Sequence, residues 1–427
     1  MTSDGEYRKT VLDNGLRILT SRMPHTYSVS VGFFIGVGSR YEEERRAGIS
    51  HFIEHMLFKG TEKRPTAKDI AIAIEGIGGL INGSTGREAT VYGVKVPQPH
   101  LDVAVDVLSD MLLHAKFDPL EIEKERQVII EEINLTLDTP DVLASLLACQ
   151  LLWPDHPLGH DVLGTKESVS GLDREAMLSY LRCHYGPANA VVSVAGNVEH
   201  ERVVELISTY LGDWQGGGED RFRPAEGDQT KPRLCLQFKE TEQAHLCLSL
   251  PGLERDHPDR FGLGLLSCIL GEGMSSRLFS EIRERLGLAY SVNSFLTTLR
   301  DTGMVGIYAG VDPSRISLAI EAILRECEKL KREEVPPEEL SKAKEFVKGR
   351  LALQMEDTSS VAAWFGQQEL LSSKVLTLEE AFQAIDAVTT ADIQRIAGEI
   401  FREERLNLAV VGPFREESEF RKQLRLW

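Results

Sequence analysis

The sequence predicts an α+β protein of two homologous domains, each a mixed, mostly antiparallel sheet packed with helices. Three observations carry this. Residues 172–196, LDREAMLSYLRCHYGPANAVVSVAG, realign without a gap on residues 388–412, VTTADIQRIAGEIFREERLNLAVVG, so that a helix and a strand recur 216 positions apart. Leu172 meets Val388, Met177 meets Ile393, Tyr185 meets Phe401 and Gly196 meets Gly412. Near Trp214 the pattern breaks into WQGGGEDRFRPAEGDQTKPR, whose glycines, prolines and charges read as a linker close to the midpoint of the 427 residues. Strands interleave with helices without regular βαβ spacing, which favours α+β over a doubly wound fold. The domains are expected at 1–214 and 234–427, joined by 215–233, as two copies of one duplicated fold.

Taken in order, residues 16–21 and 29–35 are rich in β-formers, with Asn14-Gly15 as a turn signal before them. Helical periodicity then predicts helices over 46–58 and 67–77, a strand at 90–96, and helices at 101–114 and 119–137. The second half repeats the plan with strands at 234–239 and 246–250, a helix at 260–270 and a strand at 304–309.

Composition narrows the function. Hydrophobic residues make up 42% and charged residues 27%, which suits a soluble globular chain and excludes global disorder. The 48 Lys and Arg against 66 Asp and Glu give a net charge of −18, the wrong sign for nucleic-acid binding. The longest mostly apolar run, residues 142–153, is too short to span a bilayer, and no membrane span is expected. The first ten residues, MTSDGEYRKT, contain neither an apolar signal core nor an Arg/Ser-rich presequence, so the expected location is cytoplasmic. Six scattered cysteines without a C-x-x-C pair read as buried or inert thiols of a reducing compartment.

The chemistry concentrates in ISHFIEHMLF. On a helix, His51 and His55 stand one above the other on one face, and both imidazoles can reach a single metal ion. Glu54 flanks that face as a candidate general base. Zinc is the natural ion for two histidines completed by a carboxylate, with a fourth position left for water. The order H-x-x-E-H reverses H-E-x-x-H and is the inverzincin signature. The bland alternative, two surface histidines on an amphipathic helix, fits poorly: Phe52, Ile53, Met56 and Leu57 predict a buried helix, where unpaired polar groups are costly.

A third ligand should be an acid from another helix. In PLEIEKERQVIIEEINLTL, Glu125, Val128, Ile129 and Glu132 form one stripe, expected to face inward, whereas Glu131 joins Lys124 and Gln127 on a solvated face. Glu132 is the expected ligand, with Glu125 orienting a histidine from behind.

HFIEHMLFKGT followed by EKERQVIIEE resembles the pitrilysin/insulinase family of zinc metallopeptidases, and among its branches the β subunit of mitochondrial processing peptidase and its bacterial homologues. The resemblance covers essentially the whole chain, including IGGLINGSTGREATVYG and HPLGHDVLG. It implies one Zn2+ per chain, ligated by His51, His55 and Glu132, with Glu54 as general base. The segment IGGLIN is one residue longer than in the mitochondrial pattern; spacing alone picks Glu131, while aligning VII-x-E and the helical stripe picks Glu132. In the second half, FGLGLLSCIL occupies the place of the histidine helix without His or Glu, and Leu351 and Lys344 stand opposite Glu132 and Glu125, so no second metal site is expected.

The resemblance further implies that Arg283 and Tyr290 contact the substrate carbonyl, stabilising its oxyanion. It implies that Asn82 and Gly83 pair with an extended peptide added as a β-strand. In the family, two such chains, or one of double length, enclose a chamber; a homodimer, or a heterodimer with a homologous subunit, is expected, its sites composed across chains. Ser84 replaces an aromatic common at that position, and Val142 and Leu146 replace the acids that read basic presequences. The expected function is zinc-dependent endopeptidase; the alternative is a non-catalytic core or partner subunit. Three further motifs carry no site. Pro157 and Gly159 between His156 and His160 indicate a turn, residues 271–276 lack the Lys-Ser/Thr of a phosphate loop, and Pro336-Pro337 is a helix entry.

Overall fold

A computed structural model describes residues 7–217, 221–227 and 229–426. The first six positions of the leader reading, and linker positions 218–220 and 228, lie outside the described residues. Two compact units divide the chain. One takes the residues up to Ile133, Asp161–Arg223 and Ala352–Thr377; the other takes Asn134–His160, Pro224–Leu351 and the residues from Leu378 on. This division departs from a contiguous split at 215–233 in two segments, each of which packs in the unit formed by the other half of the chain.

The first unit is built on β1 (Arg8–Val11), β2 (Arg17–Arg22), β3 (Ser28–Ile35), β4 (Leu80–Thr85), β5 (Thr90–Pro97) and β6 (Ala190–Gly196), in the order β1-β2-β6-β3-β5-β4. All neighbours are antiparallel except β2 and β6. The second unit contains β7 (Arg233–Phe238), β8 (Ala244–Gly252), β9 (Ala289–Thr298), β10 (Gly303–Val311) and β11 (Asn407–Gly412), ordered β7-β11-β8-β10-β9, with β7 and β11 as its parallel pair. With β1 set aside, the two orders match strand for strand, so the duplication read from 172–196 and 388–412 extends through the sheets.

In the first unit, one face of the sheet packs with helices Ile49–Leu57, Ala67–Glu75 and Leu101–His114, where Val31, Phe33 and Val94 meet Ile49, Phe52, Ile74 and Leu108. The opposite face, with Leu19, Phe34 and Val191, is covered by Val361, Ala362 and Phe365 of helix Thr358–Leu371. Strands covered on both sides lose their alternation, and β6 is buried at every position. In the second unit, helix Pro140–Leu152 plays the same part: Leu143, Ala144 and Ala148 pack on Cys247, Ala409 and Val411. Of the cysteines, Cys149, Cys247, Cys268 and Cys327 are buried, whereas Cys183 is exposed. Burial pushes the Cys247 thiol up to about 12, which suits an inert role. No single helix among the described residues is long and apolar enough to cross a membrane.

The histidine helix is shorter than expected: it runs Ile49–Leu57, not 46–58. Gly48 precedes it with φ +89°, and a Cβ there would lie 2.4 Å from the Leu163 carbonyl oxygen, so the chain turns sharply before the helix begins. Its free N–H groups are met by Glu42, whose carboxylate accepts from Gly48 N at 2.7 Å and Ser50 N at 2.9 Å. Glu42 is 6% exposed, and burial pushes its carboxyl up from 4.5 to about 7, against the pull of those N–H bonds. Below its unfolded value the group is neutral in both states. Between about 4.5 and 7 the unfolded chain sheds the proton first, so stability falls as pH rises, by about 3 kcal/mol at most. Melting curves of wild type and Glu42→Gln at pH 5 and pH 8 should show the variant's relative stability improving at the higher pH. A difference that does not change with pH would contradict this origin.

Candidate active site

Phe52, Ile53, Met56 and Leu57 are each at most 1% exposed, which presses the histidine helix onto the core and leaves His51, Glu54 and His55 on its remaining side. The glutamate helix, Pro119–Asp138, is anchored through buried Ile122, Ile129 and Ile133, with Glu125 and Arg126 also buried. Val128, expected to face inward, is 45% exposed; the buried stripe runs instead through Ile122, Glu125, Ile129 and Ile133. Glu132 lies at the border of that stripe and Glu131 is exposed, so the two adjacent acids separate as helical phase demands.

His51 Nε2 and His55 Nε2 are 3.0 Å apart, and Glu132 Oε2 lies 3.7 Å from the first and 3.9 Å from the second. Tetrahedral zinc with N and O ligands near 2.0–2.1 Å sets its donors roughly 3.3 Å apart, so this donor set fits the ion in both chemistry and spacing. Among the described residues no second His, Cys, Asp or Glu group has such spacing. Burial, helped by the charge of His55, pushes the His51 imidazole down to about 4, leaving a neutral ring with a lone pair to offer. His55 Nδ1 bonds to Glu125 Oε1 at 2.8 Å, which directs its Nε2 to the site. Burial alone would raise the Glu125 carboxyl, but its bonds to His55 and Lys59 outweigh that and hold it down.

Glu54 is 9% exposed, and burial raises its pKa, partly offset by the charge of His55 and a hydrogen bond from Thr85. Thr85 Oγ1 donates to Glu54 Oε2 at 3.1 Å. A Cβ on Gly83 would stand 2.4 Å from Glu54 Oε1, so the carboxylate packs directly on the backbone of β4. Thr85 was not legible in sequence, because its contact depends on how β4 lies over the helix.

Strand β4 is an edge of its sheet. Gly86 N–H bonds to Ala89 O at 2.8 Å, and the alternation of an antiparallel ladder then turns the N–H and C=O groups of Ile81, Gly83 and Thr85 off the free edge. Asn82 Oδ1 accepts from Gly83 N–H at 3.0 Å, covering one of those donors. Whereas Gly83 and Thr85 face Glu54, the other face of β4 borders a cavity of about 280 Å³ lined by Phe34, Leu80, Asn82, Ser84, Lys95 and Ala362. The small side chain of Ser84 leaves this space open.

Arg283 and Tyr290 belong to the second unit. The Arg283 guanidinium lies 4.8 Å from the Phe279 ring centroid and 4.9 Å from that of Tyr290, whose side chain is 75% exposed. The segment Phe279–Arg285 is a π-helix, an uncommon form frequent at functional sites. Its Arg285 pairs with Glu281, while Arg283 keeps 3.9 Å from Glu284 and stacks on the two rings.

Residues 17–166 match the family described as Insulinase (Peptidase family M16), and residues 171–347 match that described as Peptidase M16 inactive domain. A protein of Bacillus subtilis named an uncharacterized zinc protease is 37% identical over 406 residues, spanning 95% of this chain and 98% of its own. One of the same description from Streptomyces coelicolor is 35% identical over 418 residues, spanning 96% and 91%. Among solved structures, a protease from Helicobacter pylori has a TM-score of 0.90 at 25% identity, covering 96% of this chain and 100% of that one. Complex III2 from Candida albicans, with a TM-score of 0.84 at 21% identity over 98% and 99% of the chains, shares the fold. With both halves matched and relatives aligned along nearly its whole length, the chain belongs to the pitrilysin/insulinase (M16) family of peptidases.

Proposed function

We propose that this chain is a zinc-dependent endopeptidase acting on extended peptides or unfolded segments. The observation that carries the reading is the convergence of His51 Nε2, His55 Nε2 and Glu132 Oε2 within 4.8 Å of one another, beside the carboxylate of Glu54. Those three side chains would hold the ion; when bound, zinc supplies Lewis-acid polarisation of a carbonyl and a lowered pKa for water. Glu54 accepts the proton of the water that attacks the scissile carbonyl carbon, then delivers it to the leaving nitrogen as the C–N bond breaks. The free edge of β4, at Asn82 and Gly83, receives the peptide backbone as an added strand. A side chain on the far face of that strand enters the cavity beside Ser84.

Arg283 and Tyr290 are donors to the developing oxyanion. Two chains, identical or homologous, form a closed chamber in which Arg283 and Tyr290 of one serve the zinc domain of the other. The retention of His51, Glu54, His55 and Glu132 together argues against a non-catalytic subunit, a role that frees these positions to change. Hydrolysis of a quenched unstructured peptide should be lost with a chelator and restored by zinc. Stoichiometric zinc with no hydrolysis of any unstructured peptide would refute the enzyme reading. Mixing a Glu54→Gln chain with an Arg283→Ala chain should recover activity, up to about a quarter of wild type for random pairing into dimers with one intact composite site in half of them. No recovery after verified subunit exchange would refute composition across chains.

A further inference from the structure

Lys59 stands two residues beyond the end of the histidine helix, and its Nζ lies 2.5 Å from Glu125 Oε2. The other oxygen of the same carboxylate, Oε1, is the one bonded to His55 Nδ1 at 2.8 Å. Glu125 is 5% exposed, so an oxygen left without a partner there would be unfavourable, and a carboxylate held at one end could pivot about its last torsion. Lys59 occupies that second oxygen. Its own loop is fixed: Lys59 N–H bonds to Met56 O at 3.1 Å, Thr61 Oγ1 donates to Asp110 at 2.7 Å, and Arg64 bridges Asp106 and Asp110 at 2.5 and 2.6 Å. His51 has no equivalent support: among the described residues its Nδ1 is buried without a hydrogen-bond partner. Polar orientation of the imidazole pair therefore enters through His55 alone.

We propose that Lys59 is a positioning residue of the metal centre, clamping Glu125 so that His55 is locked as the Nδ1–H tautomer with Nε2 aimed at the ion. The inference rests on the zinc-peptidase reading above. Two effects of the ammonium oppose each other. As a bare charge it repels a cation, and its removal would tighten zinc binding; as a clamp, its removal loosens binding. The clamp dominates, because the carboxylate between Lys59 and the site neutralises the charge while making both bonds directly.

Zinc affinity, measured by competition with a chelator, separates these effects in Lys59→Met, Lys59→Arg, Glu125→Gln and the Lys59→Met/Glu125→Gln double variant, with melting of each metal-free chain as control. Lys59→Met should weaken binding about tenfold, the low end of what groups behind ligands contribute. Lys59→Arg should stay within about threefold of wild type, since it restores the bond to the carboxylate. Once Glu125→Gln is present, Lys59→Met should change affinity by less than about twofold, because the two act as one unit. Unchanged or tighter binding in Lys59→Met, with a wild-type melt, overturns the proposal. So does a loss that persists in full alongside Glu125→Gln. Should Lys59→Met fail to fold, Lys59→Leu, which also lacks a donor, carries the same comparison. A wild-type chain that binds no zinc refutes the zinc-peptidase reading itself, an outcome visible before any variant is made.

Discussion

Glu54→Gln should lower kcat/KM by about 10²–10⁴-fold, the range that a positioned general base contributes, while zinc stays bound at one ion per chain. The carboxylate is 9% exposed, fixed by Thr85 at 3.1 Å and packed on Gly83, so an amide of the same shape can occupy its place without disturbing the fold. What the amide cannot do is take a proton. Burial raises the Glu54 pKa while the charge of His55 and the Thr85 bond oppose it, and the nearby Glu132 charge pushes upward again. A base lifted above the ordinary carboxylate range is better matched to proton transfer near neutral pH than an exposed glutamate. Steady-state hydrolysis of a quenched peptide, paired with metal analysis of the same preparation, checks the prediction. A loss of zinc together with activity would instead make Glu54 a ligand, and activity within about tenfold of wild type would remove it from the reaction.

Much of this centre was readable because it depends on local helical phase. His51, Glu54 and His55 lie within five consecutive residues of one helix, so their convergence follows from 3.6 residues per turn. The duplicated fold was readable because residues 172–196 and 388–412 preserve both length and pattern. Contacts between distant segments were not. The apolar run beginning at Val142 announces burial, but its composition does not say which sheet it covers, and helix Pro140–Leu152 packs on β8 and β11 of the second unit. Strand β4 reads LINGST, with a half-exposed edge pattern and few β-branched residues, so it escaped the strand signals that marked β3 and β5. Its contribution, Thr85 against Glu54 and an edge beside the site, exists only once the sheet has formed. The same limit explains Val128: an apolar side chain at helical spacing suggested an inward face, yet it is 45% exposed, and the helix buries Ile122, Glu125, Ile129 and Ile133 instead.

Adjacent glutamates offer the sharpest test of the metal assignment. Glu132→Ala should reduce zinc affinity more than about 100-fold, beyond the 10–100-fold typical of groups behind the ligands, and abolish hydrolysis with it. Glu131→Ala should leave both within about twofold, since surface substitutions away from special features seldom matter. The argument is geometric. Consecutive residues on a helix point about 100° apart, so an acid aimed at His51 and His55 necessarily turns its neighbour toward solvent. Glu132 Oε2 lies 3.7 and 3.9 Å from the two Nε2 atoms, whereas Glu131 is exposed and outside the His-Glu cluster. Replacing Glu132 also leaves the two imidazole ligands without the anionic donor that partly balances a divalent charge, so affinity falls through charge as well as through coordination number. Metal content after dialysis and chelator competition distinguish the two variants directly. If Glu131→Ala loses zinc and Glu132→Ala keeps it, the helix is one residue out of phase in the working enzyme, and the roles assigned to Glu125 and Lys59 shift with it.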